Sequence, residues 1–202
     1  MKAKATPPHE VRIIGGQWKR SKLPVADKPG LRPTPDRVRE TLFNWLGQDL
    51  GGWRCFDAFA GTGALGFEAA SRGASAVTLV ESDAALAAQL RATQQKLGAG
   101  MVTVQRGDAL LALQRCVQAG LDLVFLDPPF DQTAVFAPAL QAAARALAPG
   151  GYVYLEAPQA WTDEAALATL AGFGLAPHRH LKAGAVHAHL FARAADGTPA
   201  GP

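Results

Sequence analysis

The feature that most narrows the fold is a regular alternation of strand-like and helix-like stretches that occupies residues 53–193. Short apolar runs rich in β-branched and aromatic residues fall near 53–58, 76–81, 101–106, 121–126 and 152–156. Helical periodicity lies between them, near 63–72, 83–97, 109–118 and 133–147. Such a chain pairs its strands in parallel and covers the sheet with the intervening helices. One more helix near 162–172 precedes two strands near 175–182 and 186–193, separated by Lys182, Ala183, Gly184 and Ala185. A connection that short makes a hairpin. The expectation is therefore an α/β fold with a mostly parallel seven-stranded sheet whose last strand runs antiparallel.

The first strand of this series runs into FDAFAGTGALG, in which Gly61, Gly63 and Gly66 form G-x-G-x-x-G. Glycines there let the backbone turn sharply and approach a ligand, and the helix start offers free N–H groups. Glu81 follows Gly61 by 20 residues, at the end of the next strand, where a carboxylate can hold two ribose hydroxyls. The same pattern suits a dinucleotide, as in an NAD-dependent oxidoreductase, or S-adenosylmethionine (SAM). Asp57, just before the turn, favours SAM, because an acid there binds an ammonium group and repels a pyrophosphate. After the third strand, Asp108 can accept a hydrogen bond from an adenine amine with the N–H of Ala109 beside the ring. Asp108 is equally suited to cap the next helix.

The fourth strand ends in Asp127-Pro128-Pro129-Phe130. Two prolines remove two N–H donors and stiffen the backbone. The position, at a strand's carboxyl end in an open α/β sheet, is where ligands bind. A base amine is a poor nucleophile because its lone pair is delocalised into the ring. The Asp127 carboxylate and the Pro128 carbonyl can accept its hydrogens, the prolines hold those acceptors still, and Phe130 can stack on the base.

Upstream of the sheet, residues 11–25 read as two short strands around Gly15 and Gly16, with Arg12, Lys19, Arg20 and Lys22 interleaved among apolar residues. A two-stranded ribbon needs something to pack on. Thr34 is placed to cap a helix whose first turn takes Pro35 and whose apolar stripe is Val38, Leu42, Trp45 and Leu46. Charge is uneven: residues 1–54 hold 11 Lys and Arg against 5 Asp and Glu, whereas residues 55–202 hold 9 against 12. A basic end on a mildly acidic body suits a polyanionic partner. Residues 1–10 and 194–202 read as loose tails, 11–33 as a basic hairpin extension and 34–193 as the main domain. No apolar run has the length of a membrane span, and the first residues lack a secretory pattern, so a cytoplasmic protein is expected. Cys55 and Cys116 read as reduced thiols. The pairs His178 and His180, and His187 and His189, could meet across the last hairpin as metal ligands. Without a carboxylate or cysteine to complete a set they read as part of an edge hairpin, and no metal is expected.

Four segments carry a resemblance to a known family: RIIGGQWKRSKLP (12–24), GLRPTPDRVRETLFNWL (30–46), FAGTGALG (59–66) and FLDPPF (125–130). The chain resembles the bacterial RsmD-type 16S rRNA guanine-N2 methyltransferases over roughly 11–193, and 30–46 is a stretch that generic SAM enzymes lack. The resemblance implies a Rossmann-like class I methyltransferase with a small N-terminal hairpin and helix extension. It implies transfer of a methyl group from SAM to a guanine N2, guanine 966 in conventional 16S numbering. The substrate would be 16S rRNA in an assembled or assembling 30S subunit, and the enzyme a monomer. Matched residue by residue, Asp57, Ala58, Phe59, Ala60, Gly61, Thr62 and Gly63 form the SAM loop. Glu81 takes the ribose, Asp108 and Ala109 the adenine, and Asp127 to Phe130 form the catalytic turn. Arg32, Thr34 and Arg37 match the N-terminal signature and are read as a gate near SAM or the target base, with Arg12, Lys19, Arg20, Lys22, Arg32 and Arg37 facing RNA. LEAPQAW (155–161) departs from the more acidic pattern expected there. The D-P-P-F turn alone would equally suit adenine N6 in DNA.

Overall fold

A computed structural model describes residues 10–28 and 34–194. Two short strands, β1 (Glu10–Arg12) and β2 (Lys22–Pro24), pair antiparallel. Helix α1 (Asp36–Trp45) follows, and then the alternating series: β3 (Arg54–Asp57), α2 (Ala64–Ser71), β4 (Ala76–Glu81), α3 (Ala84–Leu97), β5 (Val102–Arg106), α4 (Ala109–Gln114), β6 (Leu121–Leu126), α5 (Phe136–Ala146), β7 (Leu147–Ala157), α6 (Glu164–Gly172), β8 (Leu175–Ala183) and β9 (Val186–Arg193). The seven-stranded sheet has the order β5-β4-β3-β6-β7-β9-β8. Its first five strands are parallel, and β9 inserts antiparallel between β7 and β8. The expected sheet, including its reversed last strand, is the one observed.

Several local expectations are corrected. Thr34 does not cap α1: Pro35 occupies the cap position with no side-chain hydrogen bond, and the Thr34 hydroxyl is spent elsewhere, as described below. Helix α4 ends at Gln114 rather than near 118, because the following Arg115–Gly120 stretch turns at Ala119, whose φ is +55°. Strand β7 starts at Leu147, five residues early, through an irregular register between Leu121 and Leu123 of β6. A register shift between Pro177 and Arg179 breaks the alternation in β8. His178 is thereby turned onto Tyr152, ring centroids 5.4 Å apart, while His180 joins His187 and His189 on the opposite face.

Two apolar cores cover the two faces of the sheet. One joins α1, α2 and Leu90 of α3 to the sheet and takes in the N-terminal hairpin through Val11, Ile13, Leu23 and Val25. The other joins α4, α5 and α6. The hairpin is therefore docked, as its length required, and not a free arm. All eight residues of α2 are buried. Close packing on all sides favours small residues, and five of the eight in ALGFEAAS are Ala, Gly or Ser. At Gly66 an added Cβ would lie 2.1 Å from Leu79 Cδ2, so the glycine permits the close approach of α2 to β4. At Gly63, φ is +77° and a Cβ would meet Phe67 and Leu90 within 2.7 Å. This is the left-handed turn that feeds β3 into α2.

Candidate active site at the strand ends

Each of the five parallel strands brings a carboxylate to its carboxyl end. Across the sheet they run Asp108 after β5, Glu81 ending β4, Asp57 ending β3, Asp127 after β6 and Glu156 near the end of β7. Four of these five were legible in the sequence; Glu156 was not.

Glu81 braces the glycine turn. One of its oxygens accepts the N–H of Gly61 at 2.9 Å, and the other accepts the N–H of Asp83 at 2.8 Å. The turn is also pinned by Ala58 N–H donating to Phe125 O and Ala60 N–H donating to Val80 O. Ala58, Ala60, Thr62 and Gly63 are buried, and Phe59 and Gly61 are half-buried. Asp108 caps α4, accepting the N–H of Leu111 at 2.8 Å, so the capping role expected of it is real. A groove of about 860 Å³ begins at Gly107 and Asp108 and runs under the short α4 across β4 and β3, over Val80 and Phe56. The Asp127 corner lies outside its lining.

Asp57 is 1% exposed. Its Oδ2 accepts the N–H of Gly66 at 3.1 Å, while Oδ1 is buried with no partner among the described residues. Burial pushes its carboxyl up to about 7; the Glu81 charge adds to the effect and the Gly66 N–H opposes it. Asp127 is half-buried beside the buried Pro128. Burial holds its carboxyl well above the usual range, reinforced by the charges of Glu156 and Asp57. Pro129 is exposed, and Phe130 is half-buried against the second core.

Glu156 completes the wall. It is 3% exposed, and its Oε1 accepts the hydroxyls of Thr34 at 2.7 Å and Tyr154 at 2.9 Å. Burial raises its carboxyl, with the two hydroxyls and the Arg39 charge acting in opposition. Thr34 thus links the N-terminal segment to the end of β7, a role concealed by its resemblance to a helix cap. The signal that could have revealed Glu156 was positional: every other parallel strand ends in an acid. No salt bridge among the described residues reaches Asp57, Asp127 or Glu156. An unpaired set of buried acids is costly, and it is complementary to a ligand bearing positive charge. SAM, with its sulfonium and ammonium groups, fits that wall; a pyrophosphate does not.

Arg39 was also missed. It is fully buried and donates to Asp36 Oδ1 at 2.7 Å, Arg12 O at 2.9 Å, Thr34 O at 3.3 Å and Glu68 Oε2 at 3.5 Å. Its position directly after Val38, outside the apolar stripe, disguised it as a surface residue. Arg12, Lys19, Arg20, Lys22 and Arg37 are all exposed; Arg12 pairs with Asp36 and Lys22 with Glu10. Arg32 lies outside the described residues. His180 Nε2 and His187 Nδ1 face each other at 2.9 Å, and His189 Nε2 accepts the N–H of Trp161 at 3.0 Å. One ring nitrogen from each of His180, His187 and His189 lies within 4.8 Å of the others, so the convergence weighed from the sequence involves three of the four histidines, and His189 Nδ1 is buried without a partner among the described residues.

Comparison with known proteins identifies the family and the fold. Residues 11–192 match the profile of the family described as Conserved hypothetical protein 95. Ribosomal RNA small subunit methyltransferase D of Escherichia coli strain K12 is 52% identical over 123 residues, 60% of this chain and 61% of that protein. The Haemophilus influenzae protein of the same name is 49% identical over 126 residues, 60% of this chain and 64% of that one. The aligned stretch thus spans a little over six tenths of these relatives' length. The solved Escherichia coli protein yhhF, named provisionally as a methyltransferase, superposes with a TM-score of 0.76 at 40% identity, covering 93% of this chain and 99% of that one. The fold is Rossmann-like, of the class I methyltransferase type, and the chain belongs to the Conserved hypothetical protein 95 family, that of the RsmD-type methyltransferases.

Proposed function

We propose that this protein is a SAM-dependent methyltransferase acting on the exocyclic N2 amine of a guanine in small-subunit rRNA, guanine 966 by family resemblance, in an assembled or assembling 30S particle. The observation that carries the reading is the row of acids at the strand ends, without a salt bridge among the described residues, with Asp127 in a rigid proline corner between Asp57 and Glu156. SAM supplies a methyl group already activated on a sulfonium that leaves as a neutral thioether. The protein's contribution is then mainly positioning. Asp57 takes the ammonium end, Glu81 the ribose, and Asp108 with the Ala109 N–H the adenine. Asp127 and the Pro128 carbonyl accept the hydrogens of the amine, and Phe130 stacks on the base. Lys19, Arg20 and the other exposed cations of the N-terminal segment, with Arg37, meet RNA phosphates. The named relatives support the rRNA substrate. The reading includes a cytoplasmic, monomeric enzyme; no helix among the described residues is long and apolar enough to cross a membrane.

The test is methyl transfer from labelled SAM to small subunits that lack the modification, followed by nucleoside analysis. N2-methylguanosine in 16S rRNA is expected. Label in N6-methyladenosine, label accepted by DNA instead, or NAD binding in place of SAM binding would overturn the assignment.

A further inference from the structure

Strands β6 and β7 are parallel neighbours, paired up to Leu126 and Leu155. The next residue of each, Asp127 and Glu156, therefore stand side by side at the rim of the sheet. Glu156 is clamped through one oxygen by two hydroxyls from different parts of the chain, Thr34 before α1 and Tyr154 within β7. Its other oxygen accepts no hydrogen bond from the described residues and is not among the fully enclosed atoms that lack a partner. The groups facing this pair are the Asp57 carboxyl from β3, the Tyr154 phenol, the Thr34 hydroxyl and, from α1, the Arg39 guanidinium. Arg39 is committed to Glu68 and Asp36.

We propose that Glu156 is a positioning residue that makes Asp127 a competent base, holding a second negative charge beside it so that Asp127 can take the proton the amine sheds. This deepens the reading of Asp127 given above and rests on it. In the transfer, the N–C bond forms as the S–C bond breaks and sulfur keeps the electron pair. The nitrogen must then lose one proton, because it gains a substituent while the product amine is neutral. Asp127, already in contact with the amine hydrogens, receives that proton and passes it to solvent. A carboxylate with a like charge beside it binds a proton more firmly. The hydroxyl clamp keeps Glu156 in place without neutralising it, which a lysine or arginine partner would do. Thr34 and Tyr154 act through Glu156 in turn.

The test compares wild type with Glu156→Gln, which retains an oxygen for both hydroxyls but no charge, and Glu156→Asp, which retains the charge. Single-turnover methylation of unmodified small subunits at saturating SAM is followed from about pH 5.5 to 9, and the Asp127 carboxyl is titrated by carbon-13 NMR in the free protein. In Glu156→Gln the plateau rate should fall roughly tenfold. The acid limb should move down by about one pH unit, and the Asp127 signal should titrate at lower pH by a similar amount. Glu156→Asp should restore the wild-type limb. If Glu156→Gln fails to fold, Thr34→Val, which removes one stabiliser of the Glu156 charge, should move both readouts the same way by less. An unmoved limb and an unmoved Asp127 titration, with only a lower melting temperature, would overturn the proposal and leave Glu156 as an anchor. Asp127→Asn separates the two readings: if it is as active as wild type the Asp127 mechanism itself fails, whereas if it is inactive and the Glu156→Gln limb is unmoved, the inference alone fails.

Discussion

The protein buries carboxylates in two places and treats them in opposite ways. Under the N-terminal hairpin, Glu68 is fully buried and saturated: one oxygen accepts Gly15 N–H and Arg72 Nε at 2.8 Å each, and the other accepts Ile14 N–H at 2.7 Å and an Arg39 nitrogen at 3.5 Å. At the strand ends, Asp57 leaves one oxygen without a partner, and neither Asp57, Asp127 nor Glu156 takes part in a salt bridge among the described residues. Burying a charge requires compensation. In the first place the chain supplies it, and the result is a joint between hairpin, α1 and α2. In the second, no cation among the described residues supplies it, and burial pushes the carboxyls up. The same residue type is thus compensated internally in one place and left without a cationic partner among the described residues in the other, which gives the comparison clear points of attack.

The largest effect is expected at the saturated acid. Glu68→Ala strands Arg39 in the core and removes acceptors from two hairpin N–H groups, and should cost about 3–5 kcal/mol in chemical denaturation. A loss below about 1 kcal/mol would mean the joint carries little of the fold. Asp127→Ala should instead leave stability intact and SAM binding within a few-fold, while methyl transfer falls by about 10²–10³. Parallel loss of folding would erase the contrast between the two regions.

Asp57→Asn sharpens it through pH. The Asp57 carboxyl lies at about 7 in the folded protein against an ordinary 3.8, so between those values the folded state binds more protons than the unfolded. Stability should therefore fall as pH rises through that window, by at most about 1.4 kcal/mol per unit from this group. The Asn variant should lack this component and be more stable than wild type above about pH 7 in the absence of SAM, with the advantage fading towards pH 4. Equal pH dependence in both proteins would refute the assignment of the shift to Asp57. The smallest effect belongs to the surface. Lys19→Glu with Arg20→Glu should weaken binding to small subunits and lower its salt dependence by about one for each phosphate that these side chains no longer neutralise. SAM affinity should be unchanged.

Most of the sheet could be read from the chain because its signals are local. Apolar runs, the glycine turn and the hairpin connection each specify their own segment, although Lys182 and Ala183 join β8 and leave only Gly184 and Ala185 in the turn, and parallel topology follows from the order of the elements. Residues whose meaning depends on distant partners were harder to read. Thr34 has the chemistry of a helix cap, and only the arrival of β7 gives its hydroxyl to Glu156. Arg39 looks like a solvated helix residue until Glu68 appears against it. His178 is separated from its expected partner because one irregularity in β8 reverses which face it takes. Glu156 lay in plain view at a strand end, in a segment that family resemblance marked as divergent. Three of the four strand-end acids found from motifs sit beside glycine or proline turns, and Glu81 was found by its spacing from Gly61; Glu156 stands inside β7, one residue before its end, and the Pro158 that follows the strand belongs to no recognisable motif.

The central claim is that the strand-end acids await a cation, and isothermal calorimetry of SAM binding measures this directly. Titrations near pH 7 in buffers of differing ionisation enthalpy report the protons exchanged on binding. SAM should bind with net proton release, because its positive charge lowers the carboxyl of Asp57 from about 7, and Asp57→Asn should release fewer protons. Binding of SAM without proton release in the wild type, or release unchanged in Asp57→Asn, would contradict the account.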